Sequence, residues 1–102
     1  MQELEIDAVR VALGQAVMAA LDVHRLPRAV QRELLTLSAD EWARVQKGAP
    51  LPLQFEVLER AGYLQVLAGR HDDHWWTASV QGLLDGGLAA LAAAAQDETN
   101  EA

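Results

Sequence analysis

Residues 26–48 decide the fold: Leu26-Pro27-Arg28-Ala29-Val30-Gln31-Arg32-Glu33-Leu34-Leu35-Thr36-Leu37-Ser38-Ala39-Asp40-Glu41-Trp42-Ala43-Arg44-Val45-Gln46-Lys47-Gly48. Pro27 disfavours helical geometry at Leu26 and suits the first turn of a new helix. The stretch from Arg28 to Leu35 is therefore predicted to be a short helix, with Val30, Leu34 and Leu35 inward. Thr36-Leu37-Ser38 makes a tight connection. Ser38 is a strong N-cap residue and Glu41 stands three positions later, so Ser38-Ala39-Asp40-Glu41 reads as a capping box. The helix it opens is expected to run to about Gln46 and to bury Trp42 and Val45. Lys47 and Gly48 end it, with a cation in the last turn and then a glycine free to take positive φ. Two short helices joined by so brief a turn have the layout of a helix-turn-helix, with Leu37 sealing the corner.

The flanking segments also read as helices. Ile6, Val9, Leu13, Ala16, Val17, Ala20 and Leu21 recur at steps of three and four, and Gly14 is the one weak point among them. Ala49-Pro50-Leu51-Pro52 is an extended elbow. A fourth helix over 53–68 carries Phe55, Leu58, Gly62, Val66 and Leu67. Gly69 to His74 reads as a polar loop. Thr77 is placed to cap a fifth short helix through Leu84, which Asp85-Gly86-Gly87 stops. Leu88 to Gln96 is an alanine-rich last helix, and 97–102 is an acidic tail expected to fray. The prediction is an all-α fold of five to six short helices in one domain. Residues 1–68 hold the helix-turn-helix part, 69–96 the C-terminal helices and 97–102 the tail.

Composition narrows the function classes. The chain has 102 residues, no cysteine and a formal charge of −7. It is 51% hydrophobic, but its aromatic residues are only Trp42, Phe55, Tyr63, Trp75 and Trp76, which suits a thin, helix-built core. Without cysteine there is no disulfide scaffold, no thiolate zinc site and no cysteine nucleophile. No uninterrupted apolar run approaches the roughly 20 residues of a membrane span. The start, Met1 to Asp7, is acidic where a secretory leader is basic, so a cytoplasmic location is expected. Charge is uneven: residues 1–24 carry −3, residues 25–47 carry +2 and residues 48–102 carry −6.

Arg25, Arg28, Arg32, Arg44 and Lys47 cluster in that one basic stretch and are the candidate DNA contacts. Against this, the second helix of the unit opens with Asp40 and Glu41, where a recognition helix meets base edges. Trp75 and Trp76 point to different sides of their segment, and tryptophan is enriched at interface hot spots. With Leu83, Leu84, Leu88 and Leu91 beside a run of alanines, they are the candidate partner-binding residues. His71-Asp72-Asp73-His74 packs four possible metal ligands together, yet a solvated polar loop explains it better and no metal or other cofactor is expected. Thr36, Ser38, Thr77 and Ser79 are mostly accounted for by caps and turns. No histidine is paired with a plausible nucleophile, and no phosphate-binding glycine loop opens a helix. An enzyme is not expected.

The leucine pair Leu34-Leu35, the serine-capped helix Ser38 to Trp42 and the basic residue before glycine, Lys47-Gly48, resemble the Xre/MbcA/ParS family of antitoxins. So do the helix beginning Phe55-Glu56-Val57-Leu58-Glu59-Arg60 and the threonine-led segment Thr77 to Leu88. The resemblance covers roughly residues 12–96, although the segment before Thr77 is shorter than is usual there. It implies an antitoxin of a toxin-antitoxin module: direct neutralisation of a cognate protein toxin, a homodimer, and repression of the shared promoter. The acidic excess after residue 47 would suit a toxin with a basic or nucleotide-binding mouth. The alternatives are a small helix-turn-helix transcriptional regulator and a non-catalytic helical interaction protein, including a phage-encoded one.

Overall fold

The computed structural model describes the backbone of residues 2–100 and the side chains of residues 7–96. Among these residues the chain is all α-helical: α1 (Gln2–Val23), α2 (Arg28–Leu35), α3 (Ala39–Gln46), α4 (Phe55–Arg70) and α5 (Asp73–Asn100). The expected fraying of the acidic tail, 97–102, falls partly outside the described residues.

The corner between α2 and α3 forms as the sequence predicts. The Ser38 hydroxyl accepts the Glu41 N–H at 3.1 Å, and the Glu41 carboxylate accepts the Ser38 N–H at 2.9 Å. On the α2 side Thr36 takes left-handed geometry with φ 60, and the Leu37 N–H returns to the Arg32 carbonyl. That closes a Schellman-type cap on a β-branched residue, which pays a steric penalty a glycine would not. Leu34, Leu35, Leu37, Trp42 and Val45 are all buried.

The helix α1 lies alongside α4 in the same direction. At one end the Arg10 guanidinium donates to the Leu51 carbonyl at 2.8 Å; at the other His24 meets the Ala68 carbonyl at 2.8 Å. The buried row on α1 is Gly14, Val17, Met18 and Leu21, whereas Val9 is 65% exposed. The expected inward position of Val9 is thus corrected, and Gly14 is the reason. A Cβ there would sit 3.3 Å from Leu51 Cγ and 3.4 Å from Val45 Cγ1, so its missing side chain lets the elbow and α3 close onto α1. This glycine is a contact point, not a weak link.

A similar rotation occurs on α4. Its core row is Val57, Arg60, Ala61, Leu64 and Leu67, while Phe55 and Val66 point outward. The sequence offers two rows at helical spacing. The structure selects the one that includes Arg60, whose guanidinium is buried with partners. It donates to Glu56 Oε2 at 2.8 and 3.1 Å, and Nη1 approaches the Leu34 carbonyl at 3.4 Å. A buried cation is tolerable only when paired and hydrogen-bonded in this way, and here it also faces the C-terminal end of α2.

The last helix begins earlier than predicted. The connection after α4 is only His71-Asp72, so Gly69 to His74 is not a polar loop. The cap is Asp72, whose carboxylate accepts the Trp75 N–H at 3.0 Å. Thr77 is inside the helix, its hydroxyl bonded to the Asp73 carbonyl at 3.0 Å, so its capping role is corrected too. Gly87 breaks α5 with φ 65 and ψ −148, a conformation essentially reserved for glycine. Arg60 stands 3.5 Å from where a Cβ on Gly87 would be, and Arg70 Nη1 donates to the Ala95 carbonyl at 2.9 Å. The first arm of α5 therefore runs back along α4, and after Gly87 the second arm returns.

Candidate functional site

The α4–α5 corner gathers the densest set of functional side chains. His24 comes to it from the far end of α1, 49 positions before its partner Asp73. Its Nδ1 lies 2.8 Å from Asp73 Oδ1, its Nε2 2.8 Å from the Ala68 carbonyl oxygen, and its ring faces Trp76 at 5.8 Å between centroids. Trp76 is fully buried and meets Trp75 edge to face at 5.1 Å. His71 stacks on the outer face of Trp75 at 3.9 Å with ring planes 10° apart. The corner is thus an aromatic ladder, His24–Trp76–Trp75–His71, tied to α1, α4 and α5. Aromatic pairs in these geometries add about 0.5–1.5 kcal/mol beyond the area they bury.

From this corner α5 leads away as an apolar arm. Between His74 and Asp97 its only acidic or basic residue is Asp85. The stretch Asp73–Gln96 is long and apolar enough, by length and composition, to cross a membrane. It is not an uninterrupted apolar run, since Gln81 and Asp85 divide it, and the Gly87 break and the packing on α4 fit a core-facing helix. One side of the arm is covered, with Trp76, Leu83, Leu91 and Ala95 buried and Trp75, Val80, Leu84, Ala90 and Ala94 packed against the core. Ala78, Gly82, Gly86, Ala89 and Ala93 line its exposed side.

The candidate partner-binding set divides accordingly. Trp76, Leu83 and Leu91 are core residues and cannot be contacts, because α5 presents them to α4 and the inner helices. Trp75, Leu84 and Leu88 are half-buried and remain within reach of a partner. The small exposed residues Ala78, Gly82, Gly86, Ala89 and Ala93 lie among them, in keeping with the run of alanines noted in the sequence. The exposed large apolar side chains lie elsewhere: Val9 and Val23 on α1, Leu53 before α4, and Phe55 (79% exposed) and Val66 on α4.

The candidate DNA contacts do not form one free row. Arg28 is engaged by Asp22 through two hydrogen bonds of 2.7 and 2.9 Å and by Gln46 at 2.9 Å. Those bonds hold the Asp22 carboxyl below its usual range, with help from Gln31, and raise Arg28. Arg32 lines an open cleft between α2 and α5 together with Glu33, Gln81 and Asp85. Arg44 lines a separate cleft with Arg10, Glu41, Pro50 and Pro52. Arg25 lies at the α4–α5 corner, 4.0 Å from Asp73, and Lys47 is exposed at the end of α3. No group of three or more metal-ligating side chains occurs among the described residues.

Three residues that hold the site together are absent from the sequence-based set: His24, Gln31 and Arg60. Gln31 is fully buried and donates to Asp22 and to the Leu26 carbonyl, clasping the turn before α2. Only a lone polar residue on an otherwise apolar helical row could have signalled Gln31 or Arg60. The chain matches no family model, no curated protein and no solved structure.

Proposed function

We propose that this protein is the antitoxin of a toxin-antitoxin module and that α5 is the arm that grips the toxin. The observation that carries this reading is the arm itself: nearly free of charge, edged with exposed small residues and started by an aromatic corner. Small side chains let a partner's backbone approach closely, and Trp75 offers an anchor at one end. The acidic residues at and beyond the arm suit a toxin with a basic or nucleotide-binding mouth. Neutralisation is then steric, and no catalytic group is required. The apolar faces of α1 and α4 are left for a second copy in the expected homodimer, and the cytoplasm is the expected location.

The test is rescue of growth when the chain is co-expressed with the protein encoded beside it. Truncation after Arg70 is expected to abolish rescue, and so is the double substitution Ala89→Lys, Ala93→Lys, which alters exposed positions and leaves the core intact. Full rescue by the double variant would overturn the assignment of α5. Promoter contact is the second part of the reading, supported by exposed Arg44 and Lys47. A gel shift with the upstream DNA at two salt concentrations, repeated with Arg44→Ala, tests it.

A further inference from the structure

All three histidines of the chain, His24, His71 and His74, stand at or within a turn of the α4–α5 corner. His24 is distinctive because both ring nitrogens face oxygen acceptors at 2.8 Å, a carboxylate on one side and a backbone carbonyl on the other. Neither oxygen carries a proton to donate. A neutral imidazole has a single N–H, so it satisfies one of these contacts and turns a lone pair toward the other oxygen. The doubly protonated ring satisfies both. Both acceptors are fixed by helix ends: Ala68 is in the last turn of α4, where carbonyls project, and Asp73 supplies a carboxylate at the start of α5. The ring side chain is 10% exposed, so water cannot readily replace a lost contact.

We propose that His24 acts as a proton-dependent latch that fastens the ends of α1 and α4 to the start of α5. With both ring protons present, the latch holds Asp73, and through Trp76 it seats the first turn of α5. With one proton lost, either the Asp73 or the Ala68 contact opens. The groups facing the ring are few. On α5 they are Asp73 and the Trp76 indole, and α4 contributes only the Ala68 carbonyl. Arg25 reaches the other Asp73 oxygen at 4.0 Å from an exposed position and competes for the same carboxylate. Asp22, on α1, is committed to Arg28 and Gln31. The latch needs no toxin, so its failure would leave the reading of α5 untouched.

The test follows the His24 ring nitrogens by NMR across about pH 5.5 to 9 and, in the same samples, amide exchange at Trp75 to Ala78. Loss of the second ring proton and faster exchange in the first turn of α5 are expected to coincide, with about a tenfold change in protection. The variants His24→Gln and Asp73→Asn are both expected to remove this pH dependence, whereas His71→Gln is expected to retain it. Unchanged protection across the ring's titration would overturn the proposal. So would the same pH profile in a folded His24→Gln or Asp73→Asn protein.

Discussion

The corner between α2 and α3 and the corner between α4 and α5 both reverse the chain within two or three residues, but by different means. The first is built from its own neighbourhood: Ser38 and Glu41 cap each other, and Thr36 closes the preceding helix. The second has one local device, the Asp72 cap, and borrows the rest from His24 on α1. A locally built corner can tolerate damage elsewhere. One held from a distance is coupled to whatever moves its partner, which is a useful property in an element that carries a binding arm.

Substitution at Trp76 probes that difference most strongly. Trp76→Ala removes the largest fully buried side chain and the seat of the His24 ring, and is expected to cost about 3–5 kcal/mol. In a chain of this size that lowers the thermal midpoint by more than about 12 °C. Trp76→Phe is expected to cost clearly less, because the indole N–H is buried without a partner and its loss leaves no contact broken. If Trp76→Ala and Trp75→Ala were equally costly in thermal melts, the two sides of the ladder would not differ as described.

Next in size is Gly87→Ala, expected to cost about 1–3 kcal/mol because its backbone geometry is closed to residues with a Cβ. A new methyl group would stand 3.5 Å from the Arg60 guanidinium, an ordinary contact, so the cost is in the backbone. Denaturant melts check the loss. Circular dichroism should show unchanged helix content in this variant, since each arm of α5 keeps its own hydrogen bonds.

The local corner should respond more mildly and in two directions. Ser38→Ala removes one half of the capping box and is expected to cost about 1 kcal/mol. Thr36→Gly relieves a left-handed β-branched residue and is expected to add up to about 1 kcal/mol. If the two effects are additive in a double variant, the corner is as self-contained as its bonds imply. A large coupling would make it more like the α4–α5 corner.

The same contrast explains what could be read from the chain. Pro27, the capping box, Lys47-Gly48 and the break at Gly87 are short-range signals, and each forms where its residues predict. Val17, Leu21 and Leu67 are buried and Leu13 and Leu58 pack on the core as their spacing predicts, whereas Val9, Phe55 and Val66 are misplaced because each helix carries a second row at helical spacing. The choice between the rows depends on Leu51 closing over Gly14 and on Arg60 finding Glu56 and the Leu34 carbonyl. Nothing near Asp73 in the sequence announces His24, so the start of α5 and the ladder around it are invisible without the fold. Burial of Trp76, Leu83 and Leu91 is likewise decided by which side of α5 meets α4, and periodicity cannot say which side that is.

The mildest test concerns Asp22, which joins α1 to the first corner rather than the second. Hydrogen bonds from Arg28 and then Gln31 hold its carboxyl below the ordinary range. The sign follows directly: the folded state prefers the carboxylate, so the contribution is present above the unfolded value of about 3.9 and fades as pH falls through the lower folded one. Asp22 and Arg28 are both partly exposed, and solvent screening keeps the effect small. Asp22→Asn is therefore expected to flatten the acid limb of the stability curve below about pH 4 while changing neutral stability little. Acid titrations followed by circular dichroism measure that limb. Its slope should be insensitive to His24→Gln, because the two corners share no hydrogen bond between Asp22 and the His24 ring; a change in slope would mean that the local corner is also held from the distant one.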